Sequence, residues 1–203
     1  MKKVLLTFLV SFFSFVFFSC GGGGSDGDSN FEMKTPEEVF EDIPVKPPVE
    51  KCKYCIPEGS LFTCSEIESA LEFLNNIRAE VGVSPLEWDC KLAEEAQKWA
   101  EYLAEKGLFE HEEGSPYGEN LFLMFGKLPS LLDALKSWYE EKKFFNPDLP
   151  NWCEGGECFH YTQLIWKDTK KIGCGIAKYK DMEGYVIVCK FDPPGNILDQ
   201  MPF

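Results

Sequence analysis

Basic residues are scarce in this 203-residue chain, where 20 lysines and arginines stand against 34 aspartates and glutamates. The formal net charge is −14 at pH 7. Because contacts to phosphate need lysine and arginine, this balance excludes a general nucleic-acid binder and favours solubility on a cell surface. Histidine is scarcer still, with two copies, His111 and His160. Since histidine suits metal ligation and proton transfer near neutral pH, two copies in motif-like surroundings point to one site.

The chain also has little long apolar sequence, and its main apolar run lies at the N-terminus. Lys2 and Lys3 precede an apolar stretch at positions 4–18, about fifteen residues. This is short for a membrane span, which needs roughly 20 residues, but it is typical of a secretory signal, predicted over residues 1–19. Ser19, Cys20 and a glycine run follow, which predicts a bacterial lipoprotein cleavage site with Cys20 lipidated. An ordinary secretory signal and an uncleaved anchor are the alternatives.

Cysteine is plentiful, and eight cysteines remain apart from Cys20. They are Cys52, Cys55, Cys64, Cys90, Cys153, Cys158, Cys174 and Cys189. An even count in an exported chain predicts disulfides, although the spacing of Cys52 and Cys55 also fits a redox or zinc pair. Eight cysteines allow 105 pairings. We favour Cys174–Cys189, which lie on two strand-like runs joined by a turn, and Cys153–Cys158, which closes a small loop before His160.

The composition divides the chain into four segments. The predicted signal peptide (1–19) is followed by residues 20–51, which begin with the cysteine predicted to be lipidated and are rich in glycine and proline. Such a segment cannot bury a core and is expected to be a flexible tether. Residues 52–64 form a cysteine-bearing lead-in. Residues 65–203 are expected to form one domain, large enough for its own core.

Within that domain, hydrophobic periodicity predicts helices and a small sheet. Helices are expected at 65–81, 90–106, 130–143 and 161–166, and strands at 120–125, 171–179 and 185–191. Ser65 with Glu68 resembles a capping box at the first helix, and Gly107 ends the second. Because two or three strands are not stable alone, helices should cover both faces of the sheet. The fold class is therefore α/β, a three-layer α/β/α sandwich with a small antiparallel sheet.

Four residues are candidates for a site: His111, Glu119, Glu141 and His160. Their gaps of 8, 22 and 19 positions match no compact metal motif such as HExxH. Each also has an ordinary explanation. Glu119 could cap a helix or pair with a cation, Glu141 could lie on a solvated helix face, and each histidine could bind a loop carbonyl. Spacing alone leaves these alternatives open.

Five sequence blocks occur in one order over most of the domain. They are GVSPLEWDCKLAEEAQKWAEYLAEKG (82–107), YGENLF (117–122), SWYEEKKFF (137–145), HYTQLIWKDTKKIGCGIA (160–177) and YVIVCKFDPPGNI (185–197). On these blocks the chain resembles the CAP superfamily of cysteine-rich secretory, antigen 5 and pathogenesis-related 1 proteins, also called the SCP domain. With its N-terminal features, we expect a bacterial lipoprotein member of that superfamily.

The resemblance implies a three-layer fold of the CAP type with a central cleft lined by two histidines and two glutamates. By motif these are His111, Glu119, Glu141 and His160. The histidines would hold a divalent metal such as Zn²⁺. The glutamates would orient the imidazoles or act as catalytic groups.

The resemblance leaves three functions open. The first is a secreted or surface-tethered module that binds a lipid or sterol, a small molecule, a peptide or a protein. The second is a metal-dependent hydrolase or peptidase that uses the four residues. The third is a structural role in the cell envelope with a vestigial cleft.

Two stretches of this chain depart from the pattern of the family. The family often has His-Asn before the arginine of the first helix, where this chain has Asn75-Asn76-Ile77 before Arg78. The asparagine common after the Val-Cys of the last block is Lys190 here. Among the five tryptophans, four are expected to pack in the core, whereas Trp152, in the loop next to the expected cleft, could contact a ligand.

Overall fold

The structure is a computed structural model that describes residues 52–203. The predicted signal peptide (1–19), the predicted lipidation site Cys20 and the predicted tether (20–51) lie outside the described residues. The described helices are α1 (Cys64–Glu80), α2 (Cys90–Lys106), α3 (Leu131–Tyr139), a 3₁₀ helix (Glu140–Phe144) and α4 (Phe159–Leu164). The strands are β1 (Glu87–Trp88), β2 (Gly118–Phe125), β3 (Lys171–Lys178) and β4 (Gly184–Asp192). Within residues 52–203, no helix combines the length and apolarity needed to span a membrane.

The helix termini follow local capping chemistry. Helix α1 begins after Thr63, which forms a capping box with Glu66, so the box predicted at Ser65 and Glu68 is wrong by two positions. The reason is that Thr63 has the extended backbone of an N-cap, whereas Ser65 already lies in the first turn. Helix α2 has the predicted bounds and ends at Gly107, whose φ of 69° is left-handed.

The third predicted helix is shorter than expected and changes its type. Ser130 and Asp133 form a capping box at the start of α3. The α-helix ends at Tyr139, and the chain continues as the 3₁₀ helix of Glu140–Phe144. This change places Glu141 on a short, tight turn instead of a regular helix face.

The four strands form one sheet in the order β1-β3-β4-β2. The predicted hairpin of β3 and β4 is confirmed, with Cys174 opposite Cys189. Strand β2 pairs antiparallel with the other side of β4, which places Glu119 opposite Lys190. The two-residue strand β1 was not predicted, and it pairs parallel with β3, so the sheet is mixed and not wholly antiparallel.

Helices cover both faces of this sheet, which confirms the three-layer α/β/α sandwich. On one face, α2 packs on β3 and β4 around a core that includes Leu103, Val186 and Val188. Gly173 and Gly175 allow this close approach, because a Cβ atom at either position would overlap the backbone of α2. On the other face, α1 and α3 bury a second apolar core against the alternate residues of β3 and β4.

Four disulfides stabilise the fold. Cys174–Cys189 and Cys153–Cys158 are paired as predicted. The other two join the lead-in to the domain, one to the start of α1 (Cys52–Cys64) and one to the start of α2 (Cys55–Cys90). Cys52 and Cys55 therefore form neither a redox pair nor a zinc pair with each other. All eight cysteines of the described chain are bonded.

Two buried side chains hold the region around α4 in place. The guanidinium of Arg78 is fully buried and donates hydrogen bonds to the carbonyl oxygens of Ser84, Leu164, Trp166 and Thr169. Burial lowers the pKa of Arg78 to about 10. Trp152 is buried with its ring 5.9 Å from that of Trp166. The expectation that Trp152 contacts a ligand is therefore wrong, since its ring packs inside the fold.

Candidate functional site

His160 and Glu141 form the first histidine–carboxylate pair. The ring Nδ1 of His160 lies 2.6 Å from Oε1 of Glu141, and the backbone N–H of His160 donates to Oε2 at 3.0 Å. The N–H of Tyr161 donates to the same Oε2 at 3.3 Å. Helix α4 has no cap of its own, because Cys158 makes no side-chain bond to the first turn. Glu141 therefore caps α4 from the 3₁₀ helix and holds the His160 ring with the same carboxylate.

Trp138 supports the His160 ring from the side. The two rings are stacked at 13° with centroids 6.1 Å apart. The indole N–H of Trp138 donates to the carbonyl of Leu121 in β2 at 3.1 Å, which ties α3 to the edge strand. The side chain of His160 is 27% exposed. The ring is thus held in one orientation and still reaches solvent.

His111 and Glu119 form the second pair. Nδ1 of His111 lies 2.7 Å from Oε1 of Glu119, and the backbone N–H of Glu112 donates to the same oxygen at 3.1 Å. The side chain of Glu119 is 5% exposed, whereas that of His111 is 64% exposed. A buried carboxylate in the sheet therefore orients an imidazole that lies at the surface.

Lys190 completes the surroundings of Glu119. Its side chain is fully buried, and its ammonium donates to Oε2 of Glu119 at 3.1 Å and to Oγ of Ser115 at 3.3 Å. It also binds the carboxylate of Glu112. Glu119 and Lys190 are direct partners across β2 and β4, so the register of the sheet creates this contact.

The charges of this second pair are coupled. Burial of Glu119 acts to raise its pKa, but the hydrogen bond with His111 and the charge of Lys190 outweigh burial and hold the pKa below its usual range. The hydrogen bond to Glu119 raises the pKa of His111 above its usual value. The two groups therefore form an ion pair at pH values between the lowered pKa of Glu119 and the raised pKa of His111.

The two pairs are linked through adjacent residues near the start of β2. Glu119 belongs to one pair, and the next residue, Asn120, donates a hydrogen bond at 3.2 Å to the backbone carbonyl of His160 in the other. All four predicted residues are thus joined through two neighbouring positions of one strand. Sequence reasoning missed Glu112, Asn120 and the role of Lys190. The one signal was that Lys190 departs from the asparagine common in the resembling family.

The arrangement of the two histidine–carboxylate pairs suits a metal ion that is bound by imidazole nitrogen. In each pair the carboxylate binds Nδ1, which leaves Nε2 of each ring for another partner, as in carboxylate–histidine–zinc arrangements. Within residues 52–203, no group of three or more histidine, cysteine, aspartate or glutamate side chains is arranged to hold a metal ion. Of the candidate residues, His111 and His160 offer the imidazole nitrogens that could bind a metal ion.

These features define a class of protein: a disulfide-bonded α/β/α sandwich with two histidine–glutamate pairs at the edge of its sheet. The chain belongs to the CAP family, the cysteine-rich secretory protein family, whose model matches residues 71–191. The matched region begins in α1 and ends in β4, and it contains all four residues of the two pairs.

Similar proteins agree with this assignment. Pathogenesis-related protein 1B of Nicotiana tabacum is 38% identical over 133 residues, which cover 66% of this chain and 78% of the tobacco protein. The structure of BmVAL-1 matches with a TM-score of 0.60 at 22% identity, covering 73% of this chain and 86% of its own. The crystal structure of NaASP2 with Zn²⁺ matches with a TM-score of 0.61 at 20% identity, covering 73% of this chain and 90% of the NaASP2 chain.

These matches differ in what they support. The two solved structures support the fold alone. The tobacco relative is a plant protein and gives no support to the expected bacterial lipoprotein origin.

Proposed function

We propose that this chain is an exported binding module of the CAP family and that His111 and His160 hold a divalent metal, Zn²⁺ in the first place, through their Nε2 atoms. The observation that carries this proposal is that both imidazoles have Nδ1 bound to a carboxylate. Such a carboxylate fixes the tautomer and raises the basicity of the nitrogen that faces a metal. The NaASP2 structure, which has the same fold, was obtained with Zn²⁺ and agrees with this choice of metal.

The hydrogen bonds of the two glutamates favour binding over hydrolysis. Glu119 accepts from His111, Lys190 and the N–H of Glu112. Glu141 accepts from the ring and N–H of His160 and from the N–H of Tyr161. A general base must be free to take a proton from water or substrate. Both carboxylates are instead occupied in orienting the histidines, and the described cysteines are all in disulfides, so no thiol nucleophile is available there.

The proposed module acts outside the cell. Four disulfides are typical of proteins that fold in an oxidising compartment. We include in the proposal the signal peptide of residues 1–19 and the lipid anchor on Cys20, which would place the module on a cell envelope. Its ligand would be a lipid or sterol, a small molecule or a peptide bound beside the histidines.

Calorimetric titration of Zn²⁺ into the purified chain tests the metal site. The unmodified chain is compared with His111→Ala, His160→Ala and the double variant. We expect one Zn²⁺ per chain, weaker binding in each single variant and none in the double variant. Since these are the chain's two histidines, equal binding by the double variant would place the metal elsewhere and reject the proposal.

A screen with ester and peptide substrates separates the binding module from the hydrolase. The Zn²⁺-loaded chain is expected to turn over none of them. Turnover that disappears in both Glu119→Gln and His160→Ala would show that the site is catalytic. Extraction of bound lipid from the purified chain provides a parallel test of the lipid ligand, with the double histidine variant as control.

A further inference from the structure

Lys190 is a fully buried lysine in strand β4. An ammonium group inside a protein is costly unless it is paired and hydrogen-bonded. Here it is surrounded by three oxygen-bearing side chains, those of Glu112, Ser115 and Glu119. This cluster of oxygens around one cation resembles the ligand set that a hard metal ion would use. The lysine supplies the positive charge in its place.

The ammonium of Lys190 occupies oxygens of two carboxylates near the His111 ring. One oxygen of Glu119 is taken by His111 and by the N–H of Glu112, and the other is taken by Lys190. The carboxylate of Glu112 is also bound by Lys190. Because β2 and β4 pair Glu119 directly with Lys190, the register of the sheet brings these two side chains together. In the His111 ring, Nε2 is the nitrogen that Glu119 leaves free.

We propose that Lys190 determines which metals this site accepts. It occupies carboxylate oxygens that Ca²⁺ and Mn²⁺ would use as ligands and leaves imidazole nitrogen, which suits Zn²⁺. The Zn²⁺ part of this inference depends on the proposed function. The exclusion of hard cations does not, because it depends on the contacts of Lys190 with Glu112 and Glu119.

The test compares Zn²⁺, Ca²⁺ and Mn²⁺ binding by the full chain and by Lys190→Met, Lys190→Arg and Lys136→Met. Lys136 lies exposed on α3, so Lys136→Met makes the same change in net charge away from the site. We expect Lys190→Met to bind Ca²⁺ and Mn²⁺ about tenfold more tightly or better, which corresponds to about 1.4 kcal/mol from regained carboxylate ligands. Lys190→Arg and Lys136→Met should behave like the unmodified chain.

The outcomes separate the two proposals. If the unmodified chain binds no Zn²⁺ but Lys190→Met gains Ca²⁺ and Mn²⁺, the metal function fails and the role of Lys190 stands. If Lys190→Met is folded by circular dichroism and its Ca²⁺ and Mn²⁺ affinities are unchanged, the role of Lys190 is rejected. If Lys190→Met and Lys136→Met gain the same Ca²⁺ and Mn²⁺ affinity, the role of Lys190 is also rejected, since net charge alone would then explain the change.

A second measurement does not depend on the folding of any variant. NMR signals of the glutamate side chains of the unmodified chain are followed while paramagnetic Mn²⁺ is added. We expect exposed glutamates such as Glu113 to broaden first and Glu119 to stay sharp, because Lys190 occupies its free oxygen. Broadening of Glu119 at the lowest Mn²⁺ concentration that affects any carboxylate would overturn the proposal.

Discussion

The ring and the backbone N–H of His160 both bind the carboxylate of Glu141, at 2.6 and 3.0 Å. One side chain therefore starts helix α4 and orients the imidazole that this helix carries. The position of His160 and the stability of α4 are coupled through this carboxylate, so a change at Glu141 should affect both.

Replacement of Glu141 by Gln should destabilise the chain and weaken the site. The amide keeps the size of the side chain but loses the charge that three N–H donors share, and we expect a loss of about 1–3 kcal/mol in the free energy of unfolding. Zn²⁺ affinity should fall about 10- to 100-fold, as for other groups that orient a metal-binding histidine. Urea denaturation and calorimetry measure the two effects. The matched control is the exposed neighbour Glu140→Gln, which should change neither; an equal effect of both variants would contradict the capping role.

The His111 pKa provides a direct probe of the second pair. NMR titration of the metal-free chain should show a His111 pKa above the usual value near 6.5, because Glu119 stabilises the imidazolium. In Glu119→Gln the pKa should fall, since the charged partner is gone and partial burial is left to oppose protonation. The control Glu113→Gln changes an exposed neighbouring acid and should leave the pKa of His111 where it was. A His111 pKa that is the same in Glu119→Gln as in the unmodified chain would show that the pair does not form.

The same pair should make stability depend on pH in a defined direction. The pKa of His111 is raised on folding, so its contribution is fully present below about 6.5 and is lost as pH rises through the folded value. The pKa of Glu119 is lowered, so its contribution is present above about 4.3 and is lost as pH falls through the folded value. The ion pair therefore contributes most near pH 5.5.

The measurement compares His111→Ala with the unmodified chain by urea denaturation at pH 5.5 and pH 8.5. We expect His111→Ala to lower the free energy of unfolding more at pH 5.5 than at pH 8.5. Because the His111 side chain is largely exposed, the difference between the two losses should be below about 1 kcal/mol. A larger loss at pH 8.5 than at pH 5.5 would contradict the assigned direction of the shift.

The sequence identified the four candidate residues but not the contacts that surround them. His111, Glu119, Glu141 and His160 were identified through motif resemblance, because their wide spacing carries no local signal. Helix α2 was predicted to the residue, since Asp89 and Gly107 are strong local end signals. The 3₁₀ helix that carries Glu141 was read as a longer helix, because hydrophobic periodicity does not separate the two helix types.

The missed contacts are those set by tertiary structure. The pairing of Glu119 with Lys190 depends on the register of β2 with β4, which no pattern in β2 alone determines. Asn120 binds His160 across 40 positions of chain. The sequence identifies Arg78 as the arginine of the first helix, but its four carbonyl acceptors lie at the end of α4 and in loops that only the fold brings together.

Replacement of Arg78 should be among the most damaging single changes. Arg78→Met leaves buried carbonyl groups without a donor, at about 1–3 kcal/mol for each unsatisfied group, so we expect a loss of at least about 3 kcal/mol in the free energy of unfolding. Arg78→Lys keeps the charge but has fewer donors in a different geometry, and it should give an intermediate loss. Since the bonds to Leu164 and Trp166 hold the end of α4, hydrogen exchange there should accelerate first. A loss below about 1 kcal/mol in Arg78→Met would show that these bonds are dispensable.

The four disulfides should differ in what they contribute, because they close loops of different length. Cys174 and Cys189 are 15 positions apart, whereas Cys153 and Cys158 are 5 apart. Loop-closure entropy predicts about 3 kcal/mol for the first and about 2 kcal/mol for the second. Replacement of both cysteines of a pair by alanine, followed by urea denaturation, measures each contribution.

The Cys153–Cys158 bond should matter more for the site than for the fold. It closes the loop that enters α4 just before His160, so its removal should weaken Zn²⁺ binding more than removal of the Cys174–Cys189 bond. That second bond lies in the buried core between β3 and β4, where its loss should lower stability and leave the remaining folded chain with unchanged Zn²⁺ affinity. If the two double variants lost stability and Zn²⁺ affinity in the same proportion, the loop would have no separate role in holding His160.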